Sequence, residues 1–256
     1  MLQERCALVT GGGRGIGRAA ALELAKAGAR VAVAARTLAE VDTVAAELRS
    51  AGARAIALTC DVSRVEDVRA AFARTRSELG PVDILVSAAG VAPTAPVART
   101  TDEMWHQALE VNLSGVFYAL REALPAMVER GWGRVINVAS IAARTGSAYI
   151  GAYSASKHGV LGLTRCAAVE VAAQGVTVNA VCPGYVDTEM VRTGIERMVQ
   201  KTGITREQAR KHLEDQSPQK RMFTAEECAA LILFLCGEGA RGINGQALTI
   251  DGGAVL

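Results

Sequence analysis

Short apolar runs alternate with longer amphipathic stretches along the chain. The apolar runs have the length and composition of strands; they are CALVT, RVAVAA, RAIALTC, DILVSAAG, RVINVAS, VTVNAVCP and GQALTIDGG. The stretches between them space their apolar residues as helices do; they cover residues 15–28, 38–51, 65–79, 102–130 and 225–235, with a further helix beginning around Ala152. Because strands that alternate with helices form parallel sheets through right-handed crossovers, the pattern predicts an α/β fold. We expect a Rossmann-like, doubly wound parallel sheet of about seven strands with helices on both faces.

The alternation of strands and helices is interrupted by a charged segment at residues 187–221, DTEMVRTGIERMVQKTGITREQARKHLEDQSPQKR. This segment directly follows a predicted strand, at the edge where open α/β sheets bind their ligands. We predict one or two short helices that form a lid over a pocket. A solvated helical excursion without a functional role is the alternative. No Pro- or Ser-rich linker divides the chain, so residues 1–256 are expected to form a single domain.

The composition agrees with a buried parallel sheet. Half of the residues are hydrophobic but only 4% are aromatic, so Ala, Val and Leu must build the core. The formal net charge is +2 with both signs interspersed, which argues against a nucleic-acid-binding or membrane-surface protein. The six cysteines and three histidines lack metal-ligand spacing, so no metal is expected. Neither a leader nor a membrane-length apolar segment is evident, and we expect a cytoplasmic protein.

A glycine-rich turn follows the first predicted strand. The stretch TGGGRGIG, residues 10–17, places Gly11, Gly15 and Gly17 between that strand and the first helix. Glycines permit a tight turn and close approach of the backbone, and the helix then presents free N–H groups to a pyrophosphate. The spacing is TGxxxGxG rather than GxGxxG. We therefore predict a dinucleotide site at the start of the chain.

The end of the second predicted strand bears on cofactor choice. Sites that select a free ribose 2′-hydroxyl usually carry an acid at this place, whereas a nearby arginine suits a 2′-phosphate. Here the strand ends in Ala35 and Arg36, and Arg14 in the glycine loop adds a second positive group. The sequence therefore predicts NADP(H), with NAD(H) possible.

The stretch YSASK places a phenol and an ammonium one helical turn apart. Residues four apart on a helix share a face, so Lys157 is expected to hold positive charge near the oxygen of Tyr153. A positive charge favours ionisation of a phenol. An ordinary pair on a helix surface is the alternative from these five residues alone.

Seven short motifs occur in order along the chain. They are TGGGRGIG, DV at residues 61–62, SAAG at 87–90, VNL around Asn112, VAS ending at Ser140, YSASK, and PGYVDT at 183–188. This ordered set resembles the short-chain dehydrogenase/reductase family across essentially the whole chain. The resemblance implies hydride transfer between a nicotinamide dinucleotide and a carbonyl or secondary alcohol.

The resemblance, together with the glycine loop and Arg36, implies which residues form the site. The implied catalytic residues are Asn112, Ser140, Tyr153 and Lys157. The residues expected to contact the cofactor are Gly11, Arg14, Gly15, Ile16, Gly17, Arg36, Asp61, Val62, Ala88, Ala89, Gly90, Tyr153, Lys157, Pro183, Gly184, Val186 and Thr188. The residues expected at the substrate pocket are Ser140, Ile141, Tyr149, Tyr153 and Tyr185.

These residue types suit ketone reduction. Negative charge builds on the carbonyl oxygen as hydride arrives, so the site needs a hydrogen-bond donor and a proton source there. Ser140 and Tyr153 supply these, with Tyr153 as general acid in reduction and general base in oxidation. The resemblance implies that Lys157 lowers the pKa of Tyr153 and holds the nicotinamide ribose, and that Asn112 helps to hold a water in a proton relay.

One motif departs from the family pattern. Where the family usually has Asn-Asn-Ala-Gly, this chain has Ser87, Ala88, Ala89 and Gly90. Backbone contacts to the cofactor survive that change. Side-chain hydrogen bonds that steady the central strand are expected to be lost or rerouted.

Three functions remain open from the sequence. YSASKHGV and VCPGYVDTEM resemble 3-oxoacyl-thioester and polyketide ketoreductases, which favours NADP(H)-dependent reduction of a 3-oxoacyl thioester or similar ketone. NAD-dependent oxidation of a secondary alcohol would use the same residues, and a dinucleotide sensor or scaffold would keep the fold without catalysis. The resemblance also implies a homotetramer assembled through helices near 102–130 and 152–174 and through the C-terminal strand.

Overall fold

The computed structural model describes residues 2–255, in which seven parallel strands form one sheet in the order 3-2-1-4-5-6-7. The strands are β1 (Cys6–Thr10), β2 (Arg30–Ala35), β3 (Ala55–Thr59), β4 (Ile84–Ser87), β5 (Gly133–Val138), β6 (Val176–Pro183) and β7 (Ala247–Ile250). Each coincides with one of the predicted apolar runs. The doubly wound α/β fold expected from the sequence is therefore confirmed.

The helices lie between the strands as the periodicity predicts. They are α1 (Gly15–Lys26), α2 (Leu38–Ser50), α3 (Val65–Glu78), α4 (Asp102–Leu109), α5 (Gly115–Glu129), α6 (Gly151–Val171), α7 (Glu189–Thr202), α8 (Arg206–Glu214) and α9 (Ala225–Cys236). Among residues 2–255, no helix is both long and apolar enough to cross a membrane.

The core lies on both faces of the sheet, because alternate side chains of each buried strand point to opposite sides. In β1, Ala7 and Val9 belong to the cluster beneath α1, α2 and α9. Cys6 and Leu8 belong to the cluster beneath α3, α5 and α6. Short side chains let the helices approach the sheet closely, which explains how a chain with so few aromatic residues buries its strands.

The sequence pattern of residues 102–130 predicts one helix, whereas the structure divides it. One π-helical turn, Glu110–Ser114, joins α4 to α5 and contains the buried Asn112. An extra residue in a helical turn shifts the side chains that follow it, and such turns are frequent at functional sites. Apolar periodicity cannot register the single extra residue, because both flanking helices keep their own buried faces.

The charged segment forms two helices, as expected. Helices α7 and α8 pack through a small apolar cluster of their own that contains Ile195, Ala209 and Leu213, with Tyr185 against it. Asp187 anchors the segment by ion pairs from its carboxylate to Arg192 at 2.9 Å and to Arg210 at 3.2 Å.

Ser87, at the end of β4, is the first residue of the SAAG motif, where the family usually has asparagine. Its side chain is 3% exposed, and its hydroxyl has no hydrogen-bond partner within residues 2–255. Asn137 lies opposite it on β5, and the Oδ1 atom of that amide also lacks a partner in the same part of the chain. A buried hydroxyl without a partner costs free energy.

We expect Ser87→Ala to leave the free energy of unfolding unchanged or to raise it by up to about 1 kcal/mol, because an unpaired hydroxyl is removed. Urea-induced unfolding measures this. Thr164→Val is the matched control, since the Thr164 hydroxyl receives a hydrogen bond from Asn137 at 3.0 Å. That variant should lose about 1–2 kcal/mol. A Ser87→Ala protein as destabilised as Thr164→Val would contradict the prediction.

Candidate active site

The glycine loop is held by contacts that exclude larger side chains. Gly11 has φ +66°, and a Cβ atom there would lie 2.5 Å from the backbone N of Ala89. A Cβ on Gly17 would lie 2.2 Å from the carbonyl O of Gly11. The first turn of α1 therefore packs directly on the loop, and the loop packs directly on the end of β4.

The predicted cofactor residues come together at the carboxyl edge of the sheet. Gly12 N donates to Ala34 O at 3.1 Å, and Ala88 N donates to Thr10 O at 3.1 Å, which joins the loop to the neighbouring strands. The strand order reverses between β1 and β4, which is the position where open α/β sheets bind dinucleotides. The N-terminus of α1, at Gly15, lies beside this position. Its N–H groups and dipole suit a pyrophosphate.

Three of the predicted cofactor residues direct their side chains into the core. Val62 is 7% exposed and packs against Gly115 of α5. Ile16 packs against the cluster that contains Val186 and Phe223. The side chains of Val62, Ile16 and Val186 therefore pack behind the wall of the cleft. Gly184 N donates to Ile250 O at 2.9 Å and places the turn after β6 on the same edge.

A cavity of about 460 Å³ opens at the far end of the cleft, beside Arg36, Asp61 and Ser63. The Asp61 carboxylate accepts hydrogen bonds from Ser63 N at 3.0 Å and Ser63 Oγ at 2.7 Å. Partial burial raises the pKa of Asp61, but these hydrogen bonds and the nearby Arg36 outweigh burial, and the net shift is downward. The cavity adjoins the end of β2, where the adenosine half of a dinucleotide lies in this fold. The glycine cradle and this cavity together fit such a cofactor.

Tyr153 and Lys157 lie on one face of α6, as their spacing predicts. The Nζ atom of Lys157 is 5.8 Å from the centroid of the Tyr153 ring. Lys157 is 4% exposed and donates from Nζ to the carbonyl O of Val138 at 2.7 Å. Ser140 hydrogen-bonds to the Tyr153 phenol. The end of β5 and the first turns of α6 therefore bring two hydroxyl groups and an amine together beside Gly90.

The direction of the Tyr153 pKa shift differs from the expectation. Burial raises the pKa of Tyr153, and the hydrogen bond from Ser140 opposes this only in part. Burial also lowers the pKa of Lys157 to about 8, so the amine is still mostly protonated at neutral pH. The physical reason is desolvation: both groups leave water, and the ammonium of Lys157 is bound to the Val138 carbonyl instead of the phenol.

Asn112 is fully buried and its side-chain amide is satisfied. Its Oδ1 accepts from Val91 N at 2.9 Å, and its Nδ2 donates to Val91 O and to Ser156 Oγ, each at 2.9 Å. Ser156 Oγ in turn donates to Tyr153 O at 2.7 Å. This chain of hydrogen bonds joins the π-helical turn, the segment after β4 and the first turns of α6. It fixes the backbone that carries Tyr153.

Of the five predicted substrate residues, Ile141 and Tyr185 border a second, smaller cavity, whereas Ser140, Tyr149 and Tyr153 do not line it. Ile141 and Tyr185 line it together with Leu213 of α8 and Ala254 near the C-terminus. Tyr149 is 61% exposed and has φ +70°, a backbone conformation that non-glycine residues rarely adopt. Its carbonyl O accepts from Ala95 N at 2.8 Å.

The first turn of α7 lies across the cleft. A Cβ on Gly15 would lie 3.2 Å from Thr188 Cγ2, and a Cβ on Gly90 would lie 3.9 Å from Met190 Cε. The Glu189 carboxylate, between these two residues, pairs with Arg14 Nη1 at 2.5 Å. The start of the charged segment thus contacts both the glycine loop and the segment after β4.

Sequence reasoning missed several residues of this edge. Ser156 lies inside YSASK and was not singled out, although its hydroxyl links Asn112 to Tyr153. Glu40 was not singled out, and the contact of Glu189 with the glycine loop was not predicted, because each residue reaches that loop only through tertiary contacts. Asp251 lies in a turn, where its carboxylate accepts hydrogen bonds from the N–H groups of Gly253 and Val255.

Comparison with known proteins agrees with this geometry. Residues 5–199 match the model of the short chain dehydrogenase family. A D-beta-hydroxybutyrate dehydrogenase of Cupriavidus necator is 38% identical over 258 residues, which cover 100% of this chain and 99% of that protein. A 3-oxoacyl-[acyl-carrier-protein] reductase of Pseudomonas aeruginosa is 35% identical over 255 residues, covering 100% and 99%.

A solved structure supports the same assignment. The crystal structure of a variant of actinorhodin polyketide ketoreductase with NADPH superimposes with a TM-score of 0.95 at 40% identity, covering 99% of each chain. The family match covers most of the sequence. It agrees with the strand order, the glycine loop, and the hydroxyl groups of Ser140 and Tyr153 beside the amine of Lys157 at the sheet edge. The chain therefore belongs to the short-chain dehydrogenase family of oxidoreductases.

Proposed function

We propose that this protein is an NADP(H)-dependent ketoreductase that reduces a 3-oxoacyl thioester or a similar ketone. The observation that carries the proposal is the grouping of Tyr153, Ser140 and Lys157 at the carboxyl edge of the sheet, next to Gly90. Ser140 and Tyr153 offer two hydroxyl groups to one carbonyl oxygen. The bound nicotinamide would supply the hydride.

The roles of the residues follow from their contacts. Tyr153 gives its phenolic proton to the carbonyl oxygen during reduction, and Ser140 donates a hydrogen bond to that oxygen as negative charge builds there. Because its pKa is raised, the Tyr153 phenol is protonated before the reaction and can donate its proton to the carbonyl oxygen. Lys157 places a positive charge beneath the ring, and Asn112 holds the backbone of the neighbouring segments in register.

The names of its relatives support an acyl ketone as the substrate. Relatives of this chain bear the names 3-oxoacyl-[acyl-carrier-protein] reductase and polyketide ketoreductase. The proposal is tested by following NADPH oxidation with a panel of ketones that includes a 3-oxoacyl coenzyme A thioester. Turnover confined to simple aryl ketones or sugars would overturn the thioester assignment.

Arg36 is proposed to select the 2′-phosphate. It borders the cavity at the end of β2. We expect Arg36→Ala to weaken NADPH binding about tenfold or more, while NADH binding changes less than about twofold, since only NADPH carries the extra phosphate. Fluorescence titration of both cofactors measures this difference.

Arg74→Ala is the control for that experiment. Arg74 is an exposed arginine on α3 whose guanidinium pairs with Glu78 at 2.8 Å. Its removal takes away the same charge outside the cleft, and both cofactors should bind as before. Equal weakening of NADPH and NADH by Arg36→Ala would refute a role for Arg36 in recognising the 2′-phosphate.

An NAD-dependent secondary-alcohol dehydrogenase is the second candidate. It is favoured by the 38% identity to a D-beta-hydroxybutyrate dehydrogenase, which extends over the whole chain. The same group of Ser140, Tyr153 and Lys157 would act in the opposite direction. Rates of 3-hydroxy-acid oxidation with NAD⁺, compared with ketone reduction with NADPH, separate the two candidates. A non-catalytic dinucleotide sensor would bind cofactor and show neither activity.

We also propose assembly into a homotetramer. Large apolar side chains remain exposed on the long helices that the family resemblance places at the interfaces. They include Trp105, Phe117 and Val128 at 42%, 42% and 36% exposed, and Val169 at 80%. Burial of such side chains between copies would be favourable. Analytical ultracentrifugation measures the molecular mass in solution, and a monomer at micromolar concentration would refute the proposal.

A further inference from the structure

The carboxylate of Glu40 lies close to the end of β2, which itself carries no acid. Glu40 is in the first turn of α2, and a Cβ on Gly13 would lie 3.0 Å from its Oε2 atom and 3.7 Å from the Cβ of Ala35. The Glu40 side chain is therefore folded back over the glycine loop and the end of β2. Its partial exposure, 36%, leaves the carboxylate accessible to a ligand.

The surroundings of Glu40 determine what it can recognise. The end of β2 is where this fold distinguishes a free ribose 2′-hydroxyl from a 2′-phosphate, by a carboxylate for the first and an arginine for the second. Arg36 borders the cavity here, and the Glu40 carboxylate, which does not line that cavity, lies against Gly13 of the glycine loop and close to Ala35. Both kinds of group are thus present at one edge.

Arg14 is shared between two carboxylates. Its Nη1 atom lies 2.5 Å from Glu189 Oε2 and 3.7 Å from Glu40 Oε1. A 2′-phosphate that approached Arg14 would have to compete with these two negative charges, and it would meet the charge of Glu40 at short range. A ribose hydroxyl would instead find an acceptor in the Glu40 carboxylate.

We propose that Glu40 is a specificity-determining residue for the cofactor. It accepts a hydrogen bond from an adenosine ribose hydroxyl and opposes a 2′-phosphate, so that the protein binds NAD(H) as well as NADP(H). This inference rests on the proposed function, because it concerns the cofactor of the same site. It refines the assignment made from Arg36 and Arg14.

The test is a comparison of the two cofactors on one variant. Glu40→Gln removes the charge and keeps the size of the side chain. We expect NADPH binding to tighten about tenfold, because like-charge repulsion is removed, and NADH binding to weaken about twofold, because a charged acceptor becomes a neutral one. Fluorescence titration gives both dissociation constants without any need for turnover. Glu40→Ala should shift the two constants in the same opposite directions.

Asp42→Asn provides the matched control. Asp42 is an exposed residue of α2, two positions further on, and the change removes the same charge from the same helix. Its dissociation constants should equal those of the wild type. Thermal unfolding of all variants identifies any effect through the stability of α2, since an acid in the first turn also interacts with the helix dipole.

The dissociation constants of the two cofactors test the role of Glu40 separately from that of Arg36. Opposite shifts for NADPH and NADH with Glu40→Gln, absent in Asp42→Asn, support the role of Glu40. Shifts of equal sign for both cofactors, or no shift, overturn it. If Arg36→Ala leaves NADPH binding unchanged while Glu40→Gln separates the cofactors, the assignment of Arg36 fails and that of Glu40 stands.

Discussion

Replacing Tyr153 by phenylalanine should lower kcat for ketone reduction by about a thousandfold, which is the range that a positioned proton donor contributes. The substitution removes one hydroxyl and keeps the ring, so the dissociation constant for NADPH should stay within about twofold of the wild-type value. Steady-state kinetics with a ketone and fluorescence titration of NADPH provide the two numbers. The separation of kcat from cofactor binding is the result that identifies a proton donor.

The pH profile of alcohol oxidation gives a second signature of Tyr153. In this direction the phenolate is the active form, and burial raises the pKa of the phenol in the free protein. The oxidation rate of the wild type should therefore still rise with pH at and above about 10, the ordinary pKa of a phenol. The Tyr153→Phe protein should lack this rise, since no phenol remains to ionise.

Tyr118→Phe is the control for the loss of a phenol. Tyr118 lies on α5, where its ring centroid is 5.8 Å from that of Phe117, and it takes no part in the sheet edge described above. Its removal should leave kcat unchanged. Retention of more than about a tenth of the activity by Tyr153→Phe would refute the proton-donor role, because a group contributing so little is not the general acid.

Gly17→Ala should abolish dinucleotide binding and destabilise the protein. The added Cβ would lie 2.2 Å from the carbonyl O of Gly11, a backbone atom that cannot move without carrying the glycine loop with it. Overpacking of this kind costs about 1–3 kcal/mol of folding free energy. Displacement of the loop from the N-terminus of α1 should raise the dissociation constant for NADPH at least about a hundredfold. Fluorescence titration and thermal unfolding measure the two effects.

Gly162→Ala makes the same chemical change without the steric conflict. Gly162 is also helical, within α6, and a Cβ there would meet nothing within 4 Å. Alanine is the better helix former, so this variant should be equally or more stable, by up to about 1 kcal/mol. NADPH binding should be unchanged. Wild-type affinity in Gly17→Ala would show that the loop geometry is not needed for the cofactor.

Most of the fold could be predicted from local sequence patterns. Seven apolar runs and the periodicity between them were sufficient for the strands, the helices and their alternation, because parallel strands buried on both faces must be apolar throughout. Ordered motifs then placed Ser140, Tyr153 and Lys157 at one edge, since strand ends in a parallel sheet meet there. The one-turn spacing of Tyr153 and Lys157 needed no structure to be recognised.

Energetic details of the site depended on contacts between distant residues. The pKa direction of Tyr153 is set by how much water the surrounding chain removes, which a helical spacing of four cannot reveal. The π-helical turn around Asn112 preserves the apolar pattern on both sides and so leaves no periodic signal. Neither feature is encoded within one short window of sequence.

The sequence by itself determined the architecture, the glycine loop and the set of chemically reactive groups, because these follow from local propensity, periodicity and motif order. Only the tertiary structure decided which charges face the cofactor edge. Glu40 and Glu189 lie 26 and 175 positions from Arg14 in the sequence, yet both contact its guanidinium. Side-chain contacts across such separations arise from the packing of whole elements, and electrostatic selectivity depends on those distances.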